Sequence, residues 1–275
     1  MNLLFIGDIV GRPGRDLVRH GLAAIVARYD IDFVIANGEN AAAGFGITRE
    51  IGEQLFSYGI EVMTSGNHIW DKKEVLDYLP LQPRLLRPAN YPAGAPGSGA
   101  YLATAANGTK VGVLNVMGRV FLAAIDDPFT TATREVARLK AAGAQLVFVD
   151  MHAEVTSEKI AMGWYLDGEA TAVVGTHTHV QTADDRVLPL GTAYLTDVGM
   201  TGPHDGVIGV EKAPVIAKFL SGLPARFETA SGDPRLNGVV ITADPATGRA
   251  TGIERISLSA ADLHRLARPD AQAAS

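Results

Sequence analysis

Short apolar runs recur along the chain, and each stops at a glycine or a polar cluster. Leu3-Leu-Phe-Ile-Gly7 comes first, Phe33-Val-Ile-Ala36 runs into Asn-Gly-Glu-Asn40, and Glu61-Val-Met-Thr-Ser65 runs into Gly-Asn-His68. These runs have strand length. Between them Leu17, Val18, Leu22, Ile25 and Val26 recur at helical spacing after Arg12-Pro-Gly-Arg15, and Ile51, Leu55 and Phe56 follow Thr48, a fitting N-cap. The β-α-β-α-β alternation predicts parallel strands joined by helical crossovers.

Farther along, the Gly-, Pro- and Ala-rich stretch from Ala93 to Gly99 reads as a surface loop. Asn107-Gly108, flanked by apolar runs at 100–104 and 111–116, predicts a hairpin. A helix is expected from Thr131 to Ala142, then a buried strand Gln145-Leu-Val-Phe-Val149 ending at Asp150-Met-His152, then β structure around Ala172-Val-Val174. A late hairpin is expected from Val239 to Ser257, turning at Asp244-Pro-Ala-Thr-Gly248. The pattern predicts an α/β fold, a mixed-sheet sandwich with helices outside. One domain is expected over residues 1–266, with 267–275 as a frayed C-terminal tail.

Composition narrows the class. Apolar residues make up 47% and charged residues 20%, with 30 glycines, the balance of a soluble globular enzyme. No apolar run approaches the roughly 18 residues of a membrane span. The segment Met1 to Asp8 lacks a basic n-region and a cleavage-site pattern, so it is read as a strand, and cytoplasm is the expected location. The absence of cysteine excludes disulfides, thiolate zinc sites and cysteine nucleophiles, so any metal must use nitrogen and oxygen ligands. A net charge of −6 argues against stable duplex nucleic-acid binding, which depends on Lys and Arg neutralising phosphates. A small anionic substrate stays open if bound cations supply the positive field.

The strand ends carry the candidate chemistry. In order they read Gly7-Asp8, Asn37-Gly-Glu-Asn40, Gly66-Asn-His68, Asp150-Met-His152 and Gly175-Thr-His-Thr-His179. In open α/β sheets ligands bind beyond the carboxyl ends of strands, so these segments could share one crevice. Taken alone, Asp8 reads as a turn or cap residue, Asn37-Gly as a solvated turn and His68 as a surface histidine. The His177-x-His179 pair is more informative, because residues two apart face the same side of an extended chain. Four of the seven histidines, His68, His152, His177 and His179, fall at predicted strand ends. Together with Asp8, Glu39, Asn40 and Asn67 they form a set of carboxylates, amides and imidazoles suited to Mn, Fe or Zn and poorly suited to calcium. His20, His204 and His264 are expected to be surface or packing residues.

That order of motifs resembles the calcineurin-like metallophosphoesterases. Asn37-Gly-Glu-Asn40, Gly66-Asn-His-Ile-Trp-Asp71 and Asp197-Val-Gly-Met-Thr-Gly-Pro203 resemble the YmdB-like branch in particular, and the resemblance runs from Met1 to about Ser257. Two features depart from the wider superfamily. Val10 stands where a histidine usually follows the first Asp, and Glu39 replaces the usual bridging Asp. Both match the YmdB-like branch, and the lost nitrogen shifts metal preference toward harder ions, Fe or Mn ahead of Zn. The resemblance implies a four-layer α/β/β/α sandwich of two mixed sheets. It also implies a first metal ion held by Asp8, Glu39, Asn40 and His179, and a second held by Glu39, Asn67, His152 and His177, with Glu39 bridging. Such a pair activates a shared water against a phosphate ester. His68 would be the general acid for the leaving alkoxide, a role that suits an imidazole.

The activity implied is a metal-dependent phosphodiesterase acting on 2′,3′- or 3′,5′-cyclic nucleotides, in a monomer or a homo-oligomer. Arg12, Arg15 and the loop from Thr201 to His204 are candidate substrate contacts, with surface roles as the competing reading. A phosphomonoesterase would share the same metal centre, and a non-catalytic nucleotide-binding signalling protein would keep the fold. A dinucleotide-dependent oxidoreductase is disfavoured, because the loop from Gly7 to Gly14 lacks the close Gly-x-Gly that admits a pyrophosphate.

Overall fold

A computed structural model describes residues 1–267. Strand β1 (Asn2–Ile6) leads through Gly7 to the two-residue β2 (Asp8–Ile9) and helix α1 (Gly11–Arg28). Then come β3 (Phe33–Asn37), α2 (Arg49–Ser57), β4 (Val62–Thr64) and the short α3 (Val75–Tyr78). The middle of the chain supplies β5 (Ala100–Thr104), β6 (Lys110–Met117), α4 (Pro128–Ala141), β7 (Leu146–His152), α5 (Thr156–Tyr165) and β8 (Ala172–Thr176). The last part holds β9 (Arg186–Val187), β10 (Ala193–Leu195), β11 (Met200–Pro203), α6 (Lys212–Ser221), β12 (Pro234–Asp244), β13 (Arg249–Ser259) and α7 (Ala260–Leu266).

The strands form two mixed sheets. One runs β2-β11-β12-β1-β3-β4 with β13 added on β12, and the other runs β5-β6-β7-β8-β10-β9. In the first, β1, β3 and β4 are parallel, while β12 lies antiparallel against β1 from Asn2↔Thr242 to Ile6↔Gly238. In the second, β6, β7, β8 and β10 are parallel, and the antiparallel β5 and β9 form the edges.

Side-chain alternation sorts the core into layers. Leu3 and Phe5 of β1 face the second sheet, where they join Val113, Phe148 and Val174, and the Phe5 and Phe148 rings lie 4.9 Å apart. Leu4 and Ile6 point the other way and pack under Leu22, Ile25 and Leu55 of α1 and α2. Val147 and Val149 on β7 do the same beneath Val136 and Leu139 of α4 and Met162 of α5. Strands covered on both faces read as unbroken apolar runs, which is why they were visible in the sequence. The result is the expected four-layer α/β/β/α sandwich.

The predicted Thr48 cap forms, its hydroxyl accepting from Ile51 N at 3.3 Å, and Asn107-Gly108 closes the β5–β6 turn. Helix α4 begins three residues before the expected Thr131, because Asp127 caps it by accepting from Thr130 N at 2.8 Å. Helices α5 and α6 were not foreseen. The first buries Lys159, Met162 and Gly163, and the second buries only Val215, although Val215, Ile216, Phe219 and Leu220 recur along it at helical spacing. Of the expected tail at 267–275, only Ala267 falls within the described residues, as the C-cap of α7. No helix among the described residues is long and apolar enough to cross a membrane.

Because Phe5 is fully buried and bridges the two sheets, Phe5→Ala is expected to cost about 3–5 kcal/mol, read as a lower urea midpoint with little change in slope.

Candidate metal centre

The strand ends of both sheets open on the same side, and the structure brings all the predicted site residues together there. Glu39 and Asn40 follow β3, Asn67 and His68 open a 3₁₀ turn after β4, His152 ends β7, and His177 and His179 follow β8. Asp8 opens β2, paired with Met200 of β11. Asp8, Glu39 and His152 are fully buried, and Asn40 is nearly so.

The densest part is centred on His152 Nε2. Glu39 Oε1, Asn67 Oδ1 and His177 Nδ1 each lie 3.0 Å from it. One ligand atom from each of Glu39, His152 and His177 fits within a 4.8 Å cluster. Gly66 makes this approach feasible, since a Cβ there would sit 2.1 Å from His152 Nε2. The ring's other nitrogen, Nδ1, is 2.9 Å from Thr176 Oγ1, which donates its own proton to Asp150 Oδ1 at 2.7 Å. Nδ1 therefore keeps its proton, and Nε2 is the nitrogen turned toward the cluster.

A second group adjoins it. His179 Nε2 stands 3.9 Å from Asp8 Oδ1 and 3.2 Å from Asn40 Nδ2, which also donates to Glu39 Oε1 at 3.4 Å. His179 Nδ1 lies 2.9 Å from the Ile208 carbonyl and donates to it, so Nε2 is again the inward atom. Asp8 Oδ1 and Asn40 Oδ1 are buried without a hydrogen-bond partner among the described residues. Two bare buried acceptors beside converging imidazoles are costly unless a cation satisfies them. A half-turn of the Asn40 amide would present its oxygen to the same point. The donor set and its orphaned oxygens fit a metal pair.

Electrostatics agree with that fit. Burial opposes charge on His152, yet the Glu39 carboxylate and Asp8 push it up to about 9. Burial would raise Glu39, but His152 and His68 hold it down at about 2. His177 is lowered to about 3, first by burial and then by the neighbouring positive His152. Burial raises Asp8. A proton on His152 is thus the cation that the carboxylates draw in, and a metal ion would take over its role.

The His-x-His geometry differs from the expectation. Strand β8 stops at Thr176, and His177 and His179 adopt φ of +99° and +65°, so a left-handed kink and not strand alternation turns both rings inward. Such backbone is unfavourable for residues with a Cβ and must be held. The holder is Asp197, whose Oδ2 accepts from Thr178 N (3.1 Å), Thr178 Oγ1 (2.7 Å) and the ammonium of Lys159 (2.6 Å). Both members of this pair are about 1% exposed.

Several supports went unseen in the sequence. Asp150 accepts from Asn37 and Thr64 of the first sheet and from Thr176 of the second, and burial pushes its pKa up to about 7. Glu154 sits 3.0 Å from His177 Nε2 and leaves Nδ1 for the cluster. An acidic residue two positions after His152 was the available signal. The residues considered as substrate contacts, Arg12, Arg15 and 201–204, have structural partners of their own. Arg12 pairs with Asp16 on the surface, Arg15 donates to the Ala41 carbonyl, Thr201–Pro203 is a buried strand, and His204 bonds Gly202 and Asn237. None of them lines the cavity beside the cluster.

Lys159→Met would strand the Asp197 carboxylate in the interior. It is expected to lose about 3–5 kcal/mol of stability by urea denaturation, and elemental analysis of the purified variant should show reduced metal. Wild-type stability and metal content would show that the pair does not set the His-x-His turn.

With this geometry in view, the likenesses to known proteins are informative. The family model described as YmdB-like protein matches residues 4–256. A Bacillus subtilis protein named 2′,3′-cyclic-nucleotide 2′-phosphodiesterase is 51% identical over 259 residues, spanning 94% of this chain and 97% of that protein. The crystal structure of a hypothetical protein from Thermus thermophilus superposes with a TM-score of 0.86 at 42% identity, covering 94% of this chain and 99% of that one. A crystal structure described as a novel phosphatase of Mycoplasma pneumoniae gives a TM-score of 0.88 at 33% identity, covering 94% and 93%. Sequence order, site geometry and full-length likeness agree, and the chain belongs to the YmdB-like protein family.

Proposed function

We propose that the chain is a metal-dependent phosphodiesterase that opens cyclic nucleotides. The observation that carries this reading is the convergence of Glu39, Asn67, His152 and His177 around one point, with His68 at its rim. The 2′,3′-cyclic class is favoured over the 3′,5′ class by the name of the Bacillus subtilis relative.

Asp8, Glu39, Asn40 and His179 would hold one ion, and Glu39, Asn67, His152 and His177 the other. With only three nitrogens against four oxygen-bearing side chains, Fe or Mn is favoured ahead of Zn. When bound, the ions lower the pKa of water and offset charge on the phosphoryl oxygens. The remaining work falls to the chain's own groups. Glu39 accepts from the backbone N–H of His68 at 3.0 Å, which registers the acid against the ligands. Asp71 lies 2.8 Å from His68 Nδ1, so Nε2 is the nitrogen left for substrate. The Phe45 edge, 5.1 Å between ring centroids, fixes the plane of the imidazole. As water adds to phosphorus and the P–O2′ bond breaks, His68 Nε2 gives its proton to the departing 2′ oxygen, and a 3′-monophosphate remains.

Chelator-stripped protein is expected to lose activity and regain it with Mn or Fe, hydrolysing 2′,3′-cyclic AMP in preference to p-nitrophenyl phosphate. Equal rates on the diester and the monoester would undo the diesterase reading. His68→Ala should keep its metal by elemental analysis yet lose on the order of 10²- to 10⁴-fold in kcat on 2′,3′-cyclic AMP. The loss should be smaller on bis-p-nitrophenyl phosphate, whose leaving group needs no proton. Loss of metal in that variant would instead make His68 a ligand.

A further inference from the structure

The cavity beside the cluster encloses about 500 Å³. Its lining includes Glu39, Asn40, His68, His177 and His179. Most of the remaining lining is apolar, built from the 207–210 turn, Val215 and Phe219 of α6 and Phe227, with Phe45 standing beside His68. A cyclic phosphate alone would not fill a space of the size that small-molecule sites usually have, roughly 300–1,000 Å³.

The 207–210 turn is unusual. Val207 and Val210 exchange backbone hydrogen bonds of 2.9 and 3.1 Å around Ile208 and Gly209, whose φ values are +46° and +96°. A turn with both central φ positive prefers Asn, Asp or Gly at its first position, and a β-branched residue there is strained. The Ile208 carbonyl fixes His179, but any residue would supply that carbonyl. The isoleucine side chain needs its own reason, and at 55% exposure it lines the cavity instead of packing in the core. Phe219 is also exposed, at 82%, on the same wall. Phe227 is braced by the Lys218 ammonium, 5.0 Å from its ring centroid. Its segment is held in place by the Val210↔Thr229 bridge and by Thr229, whose hydroxyl would lie 2.9 Å from a Cβ on Gly44, beside Phe45.

Building on the phosphodiesterase reading, we propose that this wall is a base-binding subsite. The nucleobase of the substrate stacks on Phe227 and packs against Ile208, while its ribose phosphate reaches the cluster. Aromatic rings and aliphatic edges recognise a planar heterocycle through its face, with little regard for which base it is. The turn joins the two functions, since the residue that touches the base also carries the carbonyl that orients His179.

The test compares adenosine 3′-monophosphate with ribose 3-phosphate, which lacks the base, by titration calorimetry on metal-loaded protein. Phe227→Ala is expected to weaken the nucleotide on the order of 10-fold and ribose 3-phosphate much less. Ile208→Asn suits the turn and keeps the carbonyl, so it should retain its metal and also lose nucleotide affinity. The ratio of kcat/KM on 2′,3′-cyclic AMP to that on ribose 2,3-cyclic phosphate should fall toward unity in both variants. Wild-type protein that binds the two monophosphates equally, or variants that weaken both alike, would overturn the subsite. Base-dependent binding with no hydrolysis of either cyclic phosphate would support the subsite and overturn the phosphodiesterase reading.

Discussion

The site depends on one buried ion pair. Lys159 of α5 and Asp197 after β10 meet at 2.6 Å, both nearly inaccessible to solvent. Two charges taken from water carry a large desolvation cost, offset only if every lone pair and proton is used. Asp197 meets that condition with Lys159, with both the amide and hydroxyl of Thr178, and with the Gly199 amide at 2.8 Å. Thr178 is the residue between the two histidines, so the pair holds both imidazoles through their shared neighbour. The same loop reaches the first sheet. The Gly199 carbonyl lies where a Cβ on Gly7 would be, 2.0 Å away, immediately before Asp8. A carboxylate outside the proposed ligand set thereby sets the spacing between residues of both sheets that belong to it.

A second buried carboxylate ties the layers together in a different way. Among the described residues Asp150 has no cationic side chain in hydrogen-bond contact, and its bonds run to Asn37, Thr64 and Thr176. These residues close β3, β4 and β8, so one group spans the seam between the sheets just below the cluster. The positive charge drawn in by Asp8 and Glu39 also stabilises Asp150, which feels His152 directly. Loading the cluster and holding the sandwich closed are therefore linked through the same imidazole.

Much of this was legible in the sequence. Strands covered on both faces announce themselves as apolar runs, and the polar residues that interrupt those runs are the ones that converge. The caps at Thr48 and the turn at Asn107-Gly108 rest on local hydrogen bonds and fixed φ preferences, so they too were readable. What escaped depends on distant partners. A lysine on a helix reads as a surface residue, and nothing near Lys159 in sequence tells of an aspartate 38 positions later. The left-handed backbone at His177 and His179 is imposed by that same pair. Asp197 stood inside a recognised motif, but its role became apparent only with its partners in place. The apolar residues Val215, Ile216, Phe219 and Leu220 of α6 do recur at helical spacing, but that spacing gives no sign that Val215 and Phe219 line a cavity.

The pairing of β1 with β12 has a bearing on how the molecule comes into being. The strand beside Asp8 lies between β3 and a partner whose residues are some 240 positions away, as Asn2↔Thr242 shows. Long-range closure of this kind slows folding and postpones it until the distant segment has left the ribosome. Asp8, Glu39 and Asn67 are made early, but the sheet that aims them stays incomplete until residues 234–244 arrive. Capture of the proposed metal ions would then be a late event in the life of the chain, and a nascent or truncated polypeptide would expose carboxylates and imidazoles with no geometry to discriminate among the ions it meets.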